Sequence, residues 1–169
     1  MNRMLKWILA GLSRPSLEHA ARTTAAATIS LLAARGFRLS EAYWAAITTV
    51  VVMQSTLGAA WTVSTQRFAG TALGAAVGAL AAAWFGASVI AFGAGIFLMG
   101  LICAGLHLDR AAYRFAGITL AIVMLVVRTQ MAWVTAIHRF VEVTVGIVVA
   151  LILTALWPER PPTLRPPSR

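Results

Sequence analysis

The sequence predicts an all-α integral membrane protein with six transmembrane helices. Composition is the first reason. Sixty per cent of the 169 residues are hydrophobic and 11% are charged, where a soluble domain carries roughly 25% charged residues. Uncharged runs are the second. Ala42 to Gln66 and Phe68 to Leu108 carry no Asp, Glu, Lys or Arg, and a spanning helix needs about 20 mostly apolar residues. The third is a pattern repeated in the two halves of the chain, described below. Too few polar groups remain to cover a water-facing surface. That excludes a secreted disulfide scaffold, a disordered chain and a typical cytosolic enzyme.

The elements follow in order. Residues 1–15 place Met1, Met4, Leu5, Ile8, Leu9 and Leu12 on one helical face, the pattern of a helix lying in the membrane interface. The apolar stretch Trp7 to Leu12 is too short for a cleaved signal peptide. The membrane domain is 16–158, with spans near 16–36, 41–60, 67–85, 88–107, 110–129 and 136–157. The first span carries Arg22, the fifth carries Arg114, and the sixth takes Glu142 into its first turn. Trp84-Phe85-Gly86-Ala87-Ser88 supplies the turn between the third and fourth, since Gly and Ser punctuate helices. Residues 159–169 read as a disordered cytoplasmic tail, rich in proline that cannot stay helical.

Fourteen Lys and Arg against five acids give a net charge of +9. The basic residues are scattered singly, so they predict no nucleic-acid surface. They set orientation instead. Most of them fall on the side of the N-terminal tail, which places both termini in the cytoplasm. Trp7, Trp61 and Trp157 would mark one interface; Trp44, Trp84 and Trp133 would mark the other. Cys103 is the only cysteine. It allows no intramolecular disulfide, and no metal or cofactor is expected.

Trp61 is followed by Arg67-Phe68 and then Gly74. Trp133 is followed at the same spacings by Arg139-Phe140 and Gly146. Upstream, Ala42-Tyr43-Trp44 answers Ala112-Tyr113-Arg114. Two units offset by about 70 residues, each of three helices, must sit upside down to one another. Inverted repeats recur in secondary transporters, and also in channels and passive scaffolds. This plan puts Arg67 and Arg139 at opposite membrane faces.

Several residues carry candidate chemistry. Glu142 is the acid that the span lengths force into a membrane helix, a functional candidate by default. Arg139, one turn away, can neutralise it, so the pair reads as a proton-coupling site or as an ion pair at a helix end. His138 is adjacent. Arg67 and Arg22 can attract an anionic substrate or act as topology anchors. Arg67 is placed at the turn between the second and third helices. Thr48, Thr49, Gln54, Ser55 and Thr56 line a polar path or bond their own backbone, with Thr48 and Gln54 the substrate-binding candidates. Gly70, Gly74 and Gly78 form a GxxxGxxxG run for close helix packing, and Gly146 serves the same end in the last helix. No constellation of a soluble enzyme is visible.

The segment Tyr43-Trp44-Ala45-Ala46-Ile47-Thr48-Thr49-Val50-Val51-Val52, followed by Arg67-Phe68-Ala69-Gly70-Thr71-Ala72-Leu73-Gly74-Ala75, resembles the fusaric acid resistance and aromatic acid exporter proteins. His19-Ala20-Ala21-Arg22 and Arg139-x-x-Glu142-x-x-x-Gly146, ending in Trp157-Pro158, are similar to that family's first and last helices. The resemblance covers about 16–158. It implies a bacterial inner-membrane module that exports aromatic carboxylic acids or related toxic compounds, driven by the proton gradient. The larger members join two membrane modules and a cytoplasmic domain. A single module predicts a homodimer in the lipid bilayer, with a small aromatic anion as substrate and a periplasmic adaptor subunit as a further partner. The alternative is a non-transporting membrane scaffold or accessory subunit of a larger efflux assembly.

Overall fold

A computed structural model describes residues 14–126 and 131–158. The expected tail, and all but the end of the expected interfacial segment, lie outside them. Six helices and no strand occur among the described residues. They are α1 (Arg14–Gly36), α2 (Tyr43–Val52), α3 (Leu57–Phe85), α4 (Val89–Gly105), α5 (Arg110–Leu125) and α6 (Ala132–Leu156). Two of them, α3 and α6, are long and apolar enough to cross a bilayer unaided.

The second expected span, 41–60, is not one helix. It stops at Val52, and the chain turns through 53–56. Thr56 then caps α3, its side chain accepting the Ala59 N–H, which meets one of the unpaired donors of a first turn. The third helix therefore starts ten residues earlier than expected. At ten residues, α2 is about 15 Å long, half the hydrocarbon thickness. The 84–88 turn does form. Gly86 ends α3 at a φ of 60°, where glycine carries no side-chain penalty, and Ser88 caps α4 by accepting the Ala91 N–H.

Cross-helix contacts give the arrangement. On α3, Leu57 and Trp61 line a cleft with Leu151 and Ala155 of α6. Further along, the Phe68 and Phe140 rings meet at a tilt, 4.9 Å between centroids, and Ala79 and Ala132 both pack against the cluster of Ala75, Val123 and Ala136. These pairs count up on one helix and down on the other, so α3 and α6 run antiparallel. By contrast α3 runs parallel to α5, meeting it at Gly70, Gly74 and Gly78 in step with Ala112, Ala116 and Leu120. Likewise α2 runs parallel to α6, from Glu41 beside Glu142 to Met53 beside Thr154. Two cores result. Ala26, Val52, Val143 and Ile147 join α1, α2 and α6, while Met99, Cys103, Ala116 and Leu120 join α4 and α5. In each half, the last helix packs on the first two of the other half.

The same contact is built twice. A β-carbon added at Gly74 would strike the backbone oxygen of Ala116 and the Thr119 side chain. One added at Gly146 would strike the backbone oxygen of Ala45 and the Thr48 side chain. Each residue of the second set lies 71 or 72 positions from its counterpart, as their numbers show. Close approach of the backbones is what these glycines allow. Gly74→Ala and Gly146→Ala should each destabilise the fold by about 1–3 kcal/mol, the cost of overpacking. Gly58→Ala, with open space around it, should be neutral or stabilising. Reversible unfolding in mixed detergent checks all three.

Candidate functional site

Most charged side chains behave as an apolar solvent demands. Arg35, Arg38, Arg110 and Arg114 are exposed at helix ends and connections. Arg22, Arg67 and Arg139 are buried, and so is Glu142. A buried charge is costly unless protein groups meet it. Their partners therefore define the candidate site.

Three of the four come together along α2. Trp44 and Thr48 are one turn apart and share a face of that helix. The Arg139 guanidinium carbon lies 3.3 Å from the Trp44 ring centroid. Arg67 donates from Nε to Thr48 Oγ1 at 3.2 Å, and its guanidinium lies 4.8 Å from the Phe115 ring of α5. Glu142 accepts the backbone N–H of Glu41 at 3.0 Å through one oxygen. Its other oxygen is 3.8 Å from Arg139 Nη1. Trp44 Nε1 donates to Glu41 at 3.0 Å, which closes a loop of Arg139, Glu142, Glu41 and Trp44. At its edge His138 Nδ1 lies 2.7 Å from Ser40 Oγ.

Two expectations about Arg67 are corrected here. It does not sit at the turn between helices, because α3 begins at Leu57 and Arg67 lies ten residues inside it. Nor do Arg67 and Arg139 lie at opposite faces of the molecule. Antiparallel α3 and α6 cross where Phe68 meets Phe140, so the preceding arginines both reach α2 near the middle of the bundle.

Arg22 and Gln54 form a separate cluster. Arg22 donates to the backbone oxygens of Trp157, at 2.9 Å, and of Gln54. It thus bridges the break after α2 to the C-terminus of α6, where a cation is favoured by the helix dipole. Gln54 is half-buried, and its side chain turns back to Val51. Thr49 is satisfied by the backbone oxygens of Ala45 and Gly146, and Thr56 is consumed as a cap. The polar residues of 48–56 are therefore shared between two clusters and a cap.

Trp44, Phe115, Phe68 and Phe140 are the members sequence reasoning missed. Trp44 read as an interfacial belt residue, yet it is half-buried over Arg139. A signal existed. Trp44 and Phe115 are 71 apart, and the arginines they face, Arg139 and Arg67, are 72 apart. The pairing of Trp44 with Arg114, 70 apart, is one residue out of this register. Among the described residues no cluster of His, Cys, Asp and Glu is arranged to hold a metal ion.

The profile of the fusaric acid resistance protein-like family matches residues 25–153. The chain belongs to that family. Its segment includes α2, α3, α5 and every buried charge except Arg22. Membership points to a membrane protein related to transport or efflux. The chain matches no curated protein and no solved structure.

The stacked arginine gives a direct prediction. Trp44→Leu should cost about 1–2 kcal/mol of stability, the worth of a desolvated cation–π contact. In an Arg139→Gln background most of that cost should vanish. A double-mutant cycle by detergent unfolding measures it, and equal costs in both backgrounds would remove the contact from the account.

Proposed function

We propose that this chain is a transporter module of the bacterial inner membrane, exporting aromatic carboxylic acids or related toxic compounds in a proton-coupled cycle. Six spans form two inverted three-helix repeats, with both termini cytoplasmic, and two copies associate as a homodimer. The observation that carries the reading is a buried cluster of Arg67, Arg139 and Glu142 at the crossing of antiparallel α3 and α6.

The chemistry supports it in three ways. Ionisable groups inside a membrane domain mark substrate and proton paths. The break between α2 and α3 and the short α2 resemble the discontinuous helices that form midplane sites in transporters. The duplicated glycine contacts give two similar interfaces, the arrangement through which one half can rock against the other. In this reading Arg67 and Thr48 face the anion, Glu142 carries the proton, and Arg22 with Gln54 ties the helix ends. A periplasmic adaptor would extend the path beyond the membrane.

Liposomes holding the purified chain, with an imposed pH gradient of either polarity, test the reading. Labelled hydroxybenzoate should cross with the wild type at a rate that follows the gradient. Glu142→Gln should lose at least tenfold of that gradient-dependent rate while keeping its folded yield. No flux with folded wild-type protein over several aromatic acids would end the transport reading in favour of an accessory subunit.

A further inference from the structure

We propose that Arg139 is the seat of a monovalent carboxylate ligand, and that the Glu142 carboxylate stands in for that ligand when the seat is empty. Arg139 is 2% exposed. Even so, its Nε and Nη1 atoms have no hydrogen-bond acceptor among the described residues. An unmet buried donor is costly, and more so when it is charged. Arg67, its counterpart in the other half, spends its Nε on Thr48.

Glu142 comes near without closing the gap. At 3.8 Å its oxygen attracts the guanidinium as a charge but is too far for a hydrogen bond. The Glu41 N–H holds the other oxygen at 3.0 Å, which tethers the carboxylate short of Arg139. Trp44 covers one face of the guanidinium. What remains unmet is the guanidinium edge at Nε and Nη1, and planar carboxylates bind a guanidinium in its plane.

Charge sets the valence of the ligand. The charged and titratable groups acting on Arg139 are Glu142 on α6, Arg67 on α3, Glu41 before α2 and Tyr43 on α2; His138 precedes it on α6 and meets Ser40, and Arg35 and Arg38 are exposed. The two buried arginines are balanced by Glu142 and Glu41. If Glu142 takes a proton, one positive charge is left over, which a single carboxylate neutralises and a phosphate dianion would overshoot. Ligand and Glu142 therefore compete for Arg139, and the ligand binds best with Glu142 protonated. By reciprocity, the ligand raises the proton affinity of Glu142. This goes beyond the transport reading, because it holds whether or not the chain moves the ligand.

The test is calorimetry of benzoate binding to the full chain in lipid nanodiscs, at pH 6 and pH 8, in buffers of different ionisation heat. The wild type should bind about tenfold or more tightly at pH 6, the scale of a charged hydrogen bond gained, and take up close to one proton per benzoate. Glu142→Gln should bind tightly at both pH values and take up none. Arg139→Gln should weaken binding about tenfold or more at pH 6, and Arg139→Lys, the variant to use should Gln fail to fold, should weaken it less. No binding by the wild type, unchanged affinity in folded Arg139→Gln, or unchanged proton uptake in Glu142→Gln would each overturn the proposal. Flux in the same lipids separates it from the transport reading. Benzoate flux that survives Arg139→Gln overturns the seat alone, whereas binding with proton uptake and no flux keeps the seat and ends the transport reading.

Discussion

A charge buried in this protein can turn only to other protein groups, because hydrocarbon offers no partner. That constraint organises the bundle. Arg22 is spent on the carbonyl ends of two helices. Arg67 is spent on a threonine and an aromatic face. Arg139 is met by a tryptophan face and a carboxylate held at a distance. Leaving one partner of such a pair alone costs about 3–5 kcal/mol, so these residues hold their helices in place as firmly as packing does.

The second constraint is space. Two arginines can reach the same face of α2 only if α3 and α6 come close to α5 and α2. Gly74 and Gly146 supply that closeness, each set against an alanine backbone oxygen and a threonine. Thr48 has a part in both constraints, since it packs on Gly146 and accepts from Arg67. Packing and chemistry thus meet on one helix that is too short to span the bilayer. Its exposed apolar residues, such as Ile47 and Val50, are suited to lipid or to a neighbouring copy.

The helical class and the 84–88 turn were legible, because composition and glycine placement act locally. The family was legible too, from the segment that forms α2 and α3. The break at 53–56 was not. Met53, Gln54, Ser55 and Thr56 sit inside a run of 25 uncharged residues, and hydropathy does not register a helix that stops for a cap. That one boundary misplaced Arg67 by ten residues and moved it from the core to a loop. The role of Trp44 was hidden for another reason. Tryptophan suits a membrane interface and a guanidinium equally well, and only the fold decides between them. Glu142 and Arg139 stood out because a short uncharged run left them nowhere else to go.

The site exists only because α3 and α6, which share the Trp, Arg-Phe and Gly spacing, run antiparallel and cross at the buried arginines. Cysteine pairs in native membranes, in a Cys103→Ala background with a short bifunctional maleimide, test it most directly. An antiparallel crossing predicts efficient cross-links within one chain for Leu57→Cys with Ala155→Cys, and for Ala79→Cys with Ala132→Cys. It predicts none for Leu57→Cys with Ala132→Cys. Cross-linking of that last pair, with the first two silent, would mean that the helices run parallel and would contradict the crossing on which the site is built.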